Sequence, residues 1–205
     1  MRVKIIHDGT YASNFYAVCD DAGTATVLID PSVSPEASGL LTATLPPVTA
    51  IVLTHGHFDH VLALDAWREL TGAPVLMAAE ESEALTDPTR SCYMQFFGQS
   101  TVHAPPDRLL AEGDSVCVGE ELLTVLLTPG HTAGSITLDS GDLLFTGDTL
   151  FADGGYGRFD LPTGNAAILR ASLARLLSLT GERRIYAGHG PATLLTEEKK
   201  HFNFL

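Results

Sequence analysis

Residues 55 to 60 of this 205-residue chain read His-Gly-His-Phe-Asp-His, directly after the apolar run Ile51-Val52-Leu53-Thr54. Imidazole and carboxylate are good ligands for zinc, and also for iron and manganese. His55 and His57 are two apart, so on an extended chain both can point to the same side. Asp59 and His60 fall where a helix is expected to start. The turn of the chain there aims them at a different point from His55 and His57. A helix N-terminus also favours a carboxylate and helps keep Asp59 ionised.

The same layout recurs three times. Leu126-Leu127-Thr128 runs into Pro129-Gly130-His131. Leu143 to Thr146 runs into Gly147-Asp148. Arg184 to Ala187 runs into Gly188-His189-Gly190. Each is an apolar strand-like run, a glycine turn, then a His or Asp. If these strands share one sheet edge, seven donors converge there: His55, His57, Asp59, His60, His131, Asp148 and His189. A structural zinc site closes with four ligands, so seven exceed one tetrahedral site. Two metals bridged by Asp148 and a hydroxide would use them all, as in two-metal hydrolases. His7, His103 and His201 lack this context and read as ordinary surface or core residues.

The elements that must position these groups follow from pattern. Residues 2–7, 14–20 and 24–30 read as strands, with turn signals at 8–10 and 20–23. Residues 34–45 suggest a helix with Ser34 as N-cap and Pro35 in the first turn. Residues 46–54 read as a buried strand. Val61, Leu64, Trp67 and Leu70 then repeat at near-helical spacing up to a stop at Gly72. Residues 73–78 form another strand. Residues 81–112 read as a short helix plus a long loop, in which Tyr93, Met94, Phe96 and Phe97 fill satellite core. Further strands are expected at 115–119, 122–128, 135–140, 142–147 and 183–188. An amphipathic helix over 165–181 ends at Gly181. Strand meanders with helices at intervals point to two sheets with helices outside, rather than a doubly wound sheet.

Composition sets the limits. The chain is 45% hydrophobic and 18% charged, enough for a sizeable core, and residues 1–205 read as one domain. Its net charge of −13 disfavours nucleic acid. No apolar run reaches the roughly 20 residues that span a bilayer, so no membrane partner is expected. The N-terminus has no secretory pattern, and Cys19, Cys92 and Cys117 form no disulfide framework. A cytoplasmic location is the expectation, with all three cysteines as small core residues.

Thr54 to His60, then His131, Asp148 and His189 in this order, resemble the metallo-β-lactamase fold superfamily. The resemblance covers nearly the whole chain. It implies an α/β fold of the α+β kind, a four-layer αββα sandwich of two mixed sheets with helices on the outer faces. It also implies two divalent ions, zinc first, with iron and manganese as alternatives. By position, His55, His57 and His131 would hold the first ion, and Asp59, His60 and His189 the second. Asp148 would bridge them. Residues 147–165 and the closing residues 197–205 are similar to the glyoxalase II group (hydroxyacylglutathione hydrolases), especially its short bacterial members. A β-lactamase of the commonest subclass would carry cysteine where Asp148 stands. Full-length glyoxalase II adds a C-terminal helical domain that supplies glutathione contacts, whereas this chain stops 16 residues after His189.

The expected activity is hydrolysis of a small-molecule thioester such as S-acyl-glutathione. A thiolate leaves without a strong general acid, since a thiol of the cysteine kind has a pKa of about 8.5. Asp59 is the expected catalytic residue, orienting the nucleophile besides binding metal. Arg158 and Tyr156 are substrate-binding candidates, with an Arg158–Asp160 or loop-backbone contact the favoured reading for the arginine. Lys199 and Lys200 read as part of a solvated C-terminus. The competing functions are a mononuclear iron persulfide dioxygenase, another hydrolase of this fold acting on lactones or phosphodiesters, and a non-enzymatic metal-dependent binding module.

Overall fold

The computed structural model describes residues 1–6, 13–39 and 44–202. Six strands form one sheet in sequential order: β1 (Arg2–Ile6), β2 (Phe15–Cys19), β3 (Thr26–Ile29), β4 (Val48–Val52), β5 (Val75–Ala78) and β6 (Arg108–Leu110). β1 to β3 pair antiparallel, and β3 to β6 pair parallel. The second sheet has the order β12-β11-β10-β9-β8-β7. Its strands are β7 (Ser115–Val118), β8 (Glu121–Leu127), β9 (Ile136–Asp139), β10 (Leu143–Gly147), β11 (Arg184–Ala187) and β12 (Thr193–Leu194). Both sheets are mixed, because β10 and β11 pair parallel while their neighbours pair antiparallel.

Alternation along the strands assigns the layers. Tyr16, Val18, Val27, Ile29 and Val52 of the first sheet meet Val125, Ile136, Leu138 and Phe145 of the second in one buried cluster. The intervening residues Phe15, Ala17, Leu28 and Ile51 face outward, onto Val61, Leu64, Trp67 and Tyr93. These four come from the helices α1 (Phe58–Val61), α2 (Leu64–Thr71) and α3 (Tyr93–Phe97). On the other side Leu144 and Ile185 pack on Leu169, Leu173, Leu176 and Leu195, from α4 (Ala166–Leu177) and α5 (Leu195–His201). The result is the expected αββα sandwich.

Several local expectations need correction. Residues 34–39 form turns in which Ser34 Oγ accepts from the Ala37 N–H, while 40–43 lie outside the described residues. The 8–10 turn and His7 also lie outside them. Leu70 is exposed, because α2 buries only Leu64 and Trp67 before Gly72 caps it. α4 stops at Leu177, short of Gly181, with Asn165 capping its start. Residues 79–85 form a 3-10 helix, and Tyr93 to Phe97 lie on α3 rather than in a loop. Only Tyr93 of those residues reaches the core; Met94, Phe96 and Phe97 are exposed. Cys117 is exposed too, since it points away from the core on the edge strand β7. Lys199 is half-buried rather than fully solvated, and its ammonium donates to the Leu179 carbonyl at 2.6 Å. His103 is buried, with Nδ1 2.9 Å from Asp65 Oδ2. No helix among the described residues is long and apolar enough to cross a membrane.

Candidate metal centre

Strand direction explains why the chemistry gathers at one place. β8 and β10 both run antiparallel to β9, and β11 runs parallel to β10, so β8, β10 and β11 end at the same edge. His131, Asp148 and His189 follow those three ends. His55 and His57 follow β4, which belongs to the other sheet. The site therefore lies between the two sheets, not on the edge of one.

All seven expected donors come together there. His55, His57 and His131 form one group, His55, His60 and Asp148 a second, and Asp59, His60 and His189 a third. In each group the potential ligand atoms lie within 4.8 Å of one another. Asp148 is placed between the groups. Its Oδ2 is 3.5 Å from both His131 Nε2 and His189 Nε2, and its Oδ1 is 3.3 Å from His60 Nε2. Asp59 Oδ2 is 3.2 Å from His189 Nε2.

The donor chemistry fits cations. His131 Nε2 lies 3.2 Å from His55 Nε2 and 2.9 Å from His57 Nδ1, so three imidazole nitrogens turn toward one point. His60 Nε2 and Asp148 Oδ1 are buried with no hydrogen-bond partner. A buried polar atom without a partner needs an explanation, and a divalent ion supplies one for both. Burial holds the pKa of His55 well below the usual imidazole range and that of His57 down to about 3, with neighbouring imidazoles adding to the effect. Both are thus neutral, with lone pairs available.

His60 and His189 behave differently. Burial alone would lower the His60 pKa, but Asp148, Asp30 and Asp59 outweigh it and hold it well above the usual range. His189 is raised likewise, with burial outweighed by its bond to Asp59 and by Asp148. A cation entering this half must displace protons. Calorimetric metal titration near pH 7, in buffers of differing ionisation enthalpy, should therefore show release of about one proton or more. Uptake without proton release would contradict the raised pKa values of His60 and His189.

An outer layer of hydrogen bonds sets the imidazole orientations, and the sequence reading missed most of it. Asp30, the residue after β3, accepts from His60 Nδ1 at 2.8 Å, from Thr54 Oγ1 at 2.6 Å and from the Thr54 N–H at 2.8 Å. His55 Nδ1 lies 3.2 Å from the same Thr54 hydroxyl. His131 Nδ1 donates to the Arg158 carbonyl at 2.6 Å. Glu81, on the 3-10 helix, accepts from the Gly56 N–H at 3.1 Å and the Gly134 N–H at 2.9 Å, joining the loops of His55, His57 and His131. Asn14 donates its amide to the carbonyls of Ala187 and Gly190, at 3.0 and 2.8 Å, bracketing His189. Asp30 carried a readable signal: it ends an apolar strand, as the other four sites do. Glu81 and Asn14 carried none.

Close backbone approach completes the site. A Cβ at Gly188 would overlap Asp148 Oδ1 and lie 2.7 Å from His60 Cε1. Gly188→Ala is expected to lower metal content at least about tenfold while circular dichroism stays unchanged, because distorted ligands cost affinity on the scale of outer-layer losses. Wild-type metal content in that variant would refute the close packing.

His57, Asp59, His131, Asp148 and His189 border a cavity of about 400 Å³ that is also lined by Phe58, Cys92, Phe96, Phe151, Gly157, Arg158 and Leu161. Arg158 binds Asp160 through two hydrogen bonds of 2.7 Å. Tyr156 instead lines a neighbouring cavity with Phe159, Arg170 and Phe202.

Comparison with known proteins agrees with this geometry. The family model described as the metallo-beta-lactamase superfamily matches residues 8–189. A probable metallo-hydrolase of Bacillus subtilis is 38% identical over 156 residues, 74% of this chain and 74% of that one. The crystal structure of BLEG-1, a B3 metallo-beta-lactamase, is 34% identical with a TM-score of 0.90 and 99% of each chain covered. TTHA1623 in a di-iron-bound form is also 34% identical, with a TM-score of 0.79 and 100% of each chain covered.

Proposed function

The chain belongs to the metallo-beta-lactamase superfamily, and on that premise we propose that it is a two-metal hydrolase of thioesters, S-acyl-glutathione compounds among them. The observation that carries this reading is the place of Asp148, whose one oxygen sits 3.5 Å from an imidazole of each half of the donor set. Support for two ions also comes from the similar protein TTHA1623, whose structure is of a di-iron-bound form.

In this reading His55, His57 and His131 would hold one ion, Asp59, His60 and His189 would hold the other, and Asp148 would serve both. Bound divalent ions supply a hydroxide nucleophile near neutral pH and polarise the substrate carbonyl. Zinc is the proposed metal. Asp59 borders the cavity and keeps a partly exposed carboxylate, so it can orient the attacking oxygen and accept its proton. Arg158 and Asp160 form a polar pair at the rim. A thiolate departs without a protein acid, which matches a cavity wall that is aromatic and aliphatic apart from the donors, Cys92, Gly157 and Arg158.

Elemental analysis of the purified protein, followed by a substrate panel on the same sample, tests the proposal. Two divalent ions per chain and metal-dependent release of thiol from S-lactoylglutathione or a simpler thioester are expected. One iron per chain with oxygen uptake on glutathione persulfide would sink it. So would faster turnover of a β-lactam, a lactone or a phosphodiester than of any thioester.

A further inference from the structure

Three phenylalanines crowd one side of the donor set. Phe58 follows His57 directly, and its ring centroid lies 5.3 Å from that of Phe96 and 5.0 Å from that of Phe97. The second and third rings stand on α3, where Phe96 and Phe97 are each 48% exposed. α3 is firmly seated. Cys92 and Gly98 bound it in left-handed conformations, and the Phe58 N–H donates to the Ser91 carbonyl at 2.8 Å. Tyr93 is buried and packs on Phe58 at 5.9 Å. A helix fixed this way holds Phe96 half in water at the cavity of the candidate ligands, with Phe97 behind it against Phe58. Contiguous exposed apolar surface of this kind marks a binding surface.

The surroundings decide what it binds. Phe58 and Phe96 line the same cavity as His57, Asp59 and Asp148, and Phe151 and Leu161 continue its apolar lining. The one lysine or arginine in that lining, Arg158, is held by both oxygens of Asp160. Apolar surface reaches the reacting centre, while the rim cation is already neutralised.

We propose that Phe58 and Phe96, with Phe97 packed against Phe58, form the acyl-group subsite, and that the substrates carry an apolar acyl chain or an arylacetyl group rather than a small polar or carboxylate-bearing one. The kinetic test rests on the thioesterase reading; the binding test below does not.

The holoenzyme is assayed with N-acetylcysteamine thioesters that share one leaving thiol: acetyl, butyryl, hexanoyl, phenylacetyl, lactoyl and succinyl. kcat/KM should rise roughly two- to fourfold per added methylene, the worth of its burial. Succinyl and lactoyl thioesters should fall below hexanoyl. Phe96→Ala should flatten the rise and cut phenylacetyl turnover about tenfold. Met94→Ala, on the same helix and outside the cavity lining, should match the wild type. Preference for succinyl or lactoyl, or an unchanged acyl profile in Phe96→Ala, overturns the proposal. A change of oligomeric mass in Phe96→Ala without a change of acyl profile also overturns it, because the rings would then serve a second copy.

Methyl ketone and benzyl ketone analogues, with CH₂ in place of sulfur, test the subsite even where no thioester is cleaved. Their calorimetric affinity for the holoenzyme should follow the same order and be reduced in Phe96→Ala. Equal affinities, or no binding, would refute the subsite. Absent turnover with ordered binding would refute the thioesterase reading alone.

Discussion

Asp148→Ala is expected to leave the fold largely intact while abolishing hydrolysis, with a loss on the order of 10³-fold or more. Removal of one transition-state donor already costs about 10²–10³-fold, and Asp148 does more than one task. Its carboxylate touches His60, His131 and His189 at 3.3 to 3.5 Å, so its loss uncouples both halves of the donor set. Burial alone would raise its pKa; the same histidines overcome that and hold it well below the usual carboxylate range. It is therefore an anion at neutral pH, placed between the two groups of imidazoles.

The fold should survive because the local backbone bonds do not involve this side chain. The Gly188 N–H still donates to the Gly147 carbonyl at 2.8 Å, and the Thr149 N–H to that of Thr146 at 3.0 Å. Asp148→Asn separates charge from shape. It keeps the size but loses the anion, and should lose most bound metal as well. Metal content by elemental analysis, far-ultraviolet circular dichroism and kcat/KM are the three measurements. Two ions per chain with full activity in Asp148→Ala would refute the bridging role.

The sequence disclosed the donors because each was written locally, as an apolar strand run broken by glycine and ended by His or Asp. The sandwich was legible for the same reason: alternation at Phe15–Val18 and Val27–Ile29 divides one face from the other. What stayed hidden was non-local. That Glu81 would clamp Gly56 to Gly134 depends on the seating of a 3-10 helix, and nothing in the spacing of residues 81, 56 and 134 announces it. The exposure of Phe96 and Phe97 was misread because an aromatic residue in a long segment is more often core. Only the anchoring of α3 through Tyr93 shows that their side is left open. The short β6 and β12 and the helix α5 were missed because their sequences are too short or too polar to show a period.

Asp30→Asn is the second large effect, and it isolates one charge from one backbone position. Asp30 sits at φ 53°, a left-handed conformation that asparagine also tolerates. The substitution therefore adds little backbone strain. Three donors meet the carboxylate: the Thr54 N–H, the Thr54 hydroxyl and His60 Nδ1. An amide cannot accept from all three, because its NH₂ must face at least one of them. That buried mismatch should lower stability by about 1–3 kcal/mol, read by urea unfolding of the metal-free protein. The larger consequence falls on the metal. Once the Nδ1–H bond is weakened, His60 is no longer held with Nε2 presented toward Asp148, and proton exchange between its two nitrogens competes with metal binding. Affinity at Asp59, His60 and His189 should drop about 10–100-fold, as it does when the partner of a ligating imidazole is lost. His55 leans on the same carboxylate only through the Thr54 hydroxyl, so its half of the site should weaken less. Thr54→Val removes that hydroxyl and keeps the N–H, and should reverse the order, loosening the His55 side first. Competitive chelator titrations that resolve two metal steps can read both variants. If Asp30→Asn binds both ions with wild-type affinity, the carboxylate serves the strand end alone and does not orient His60.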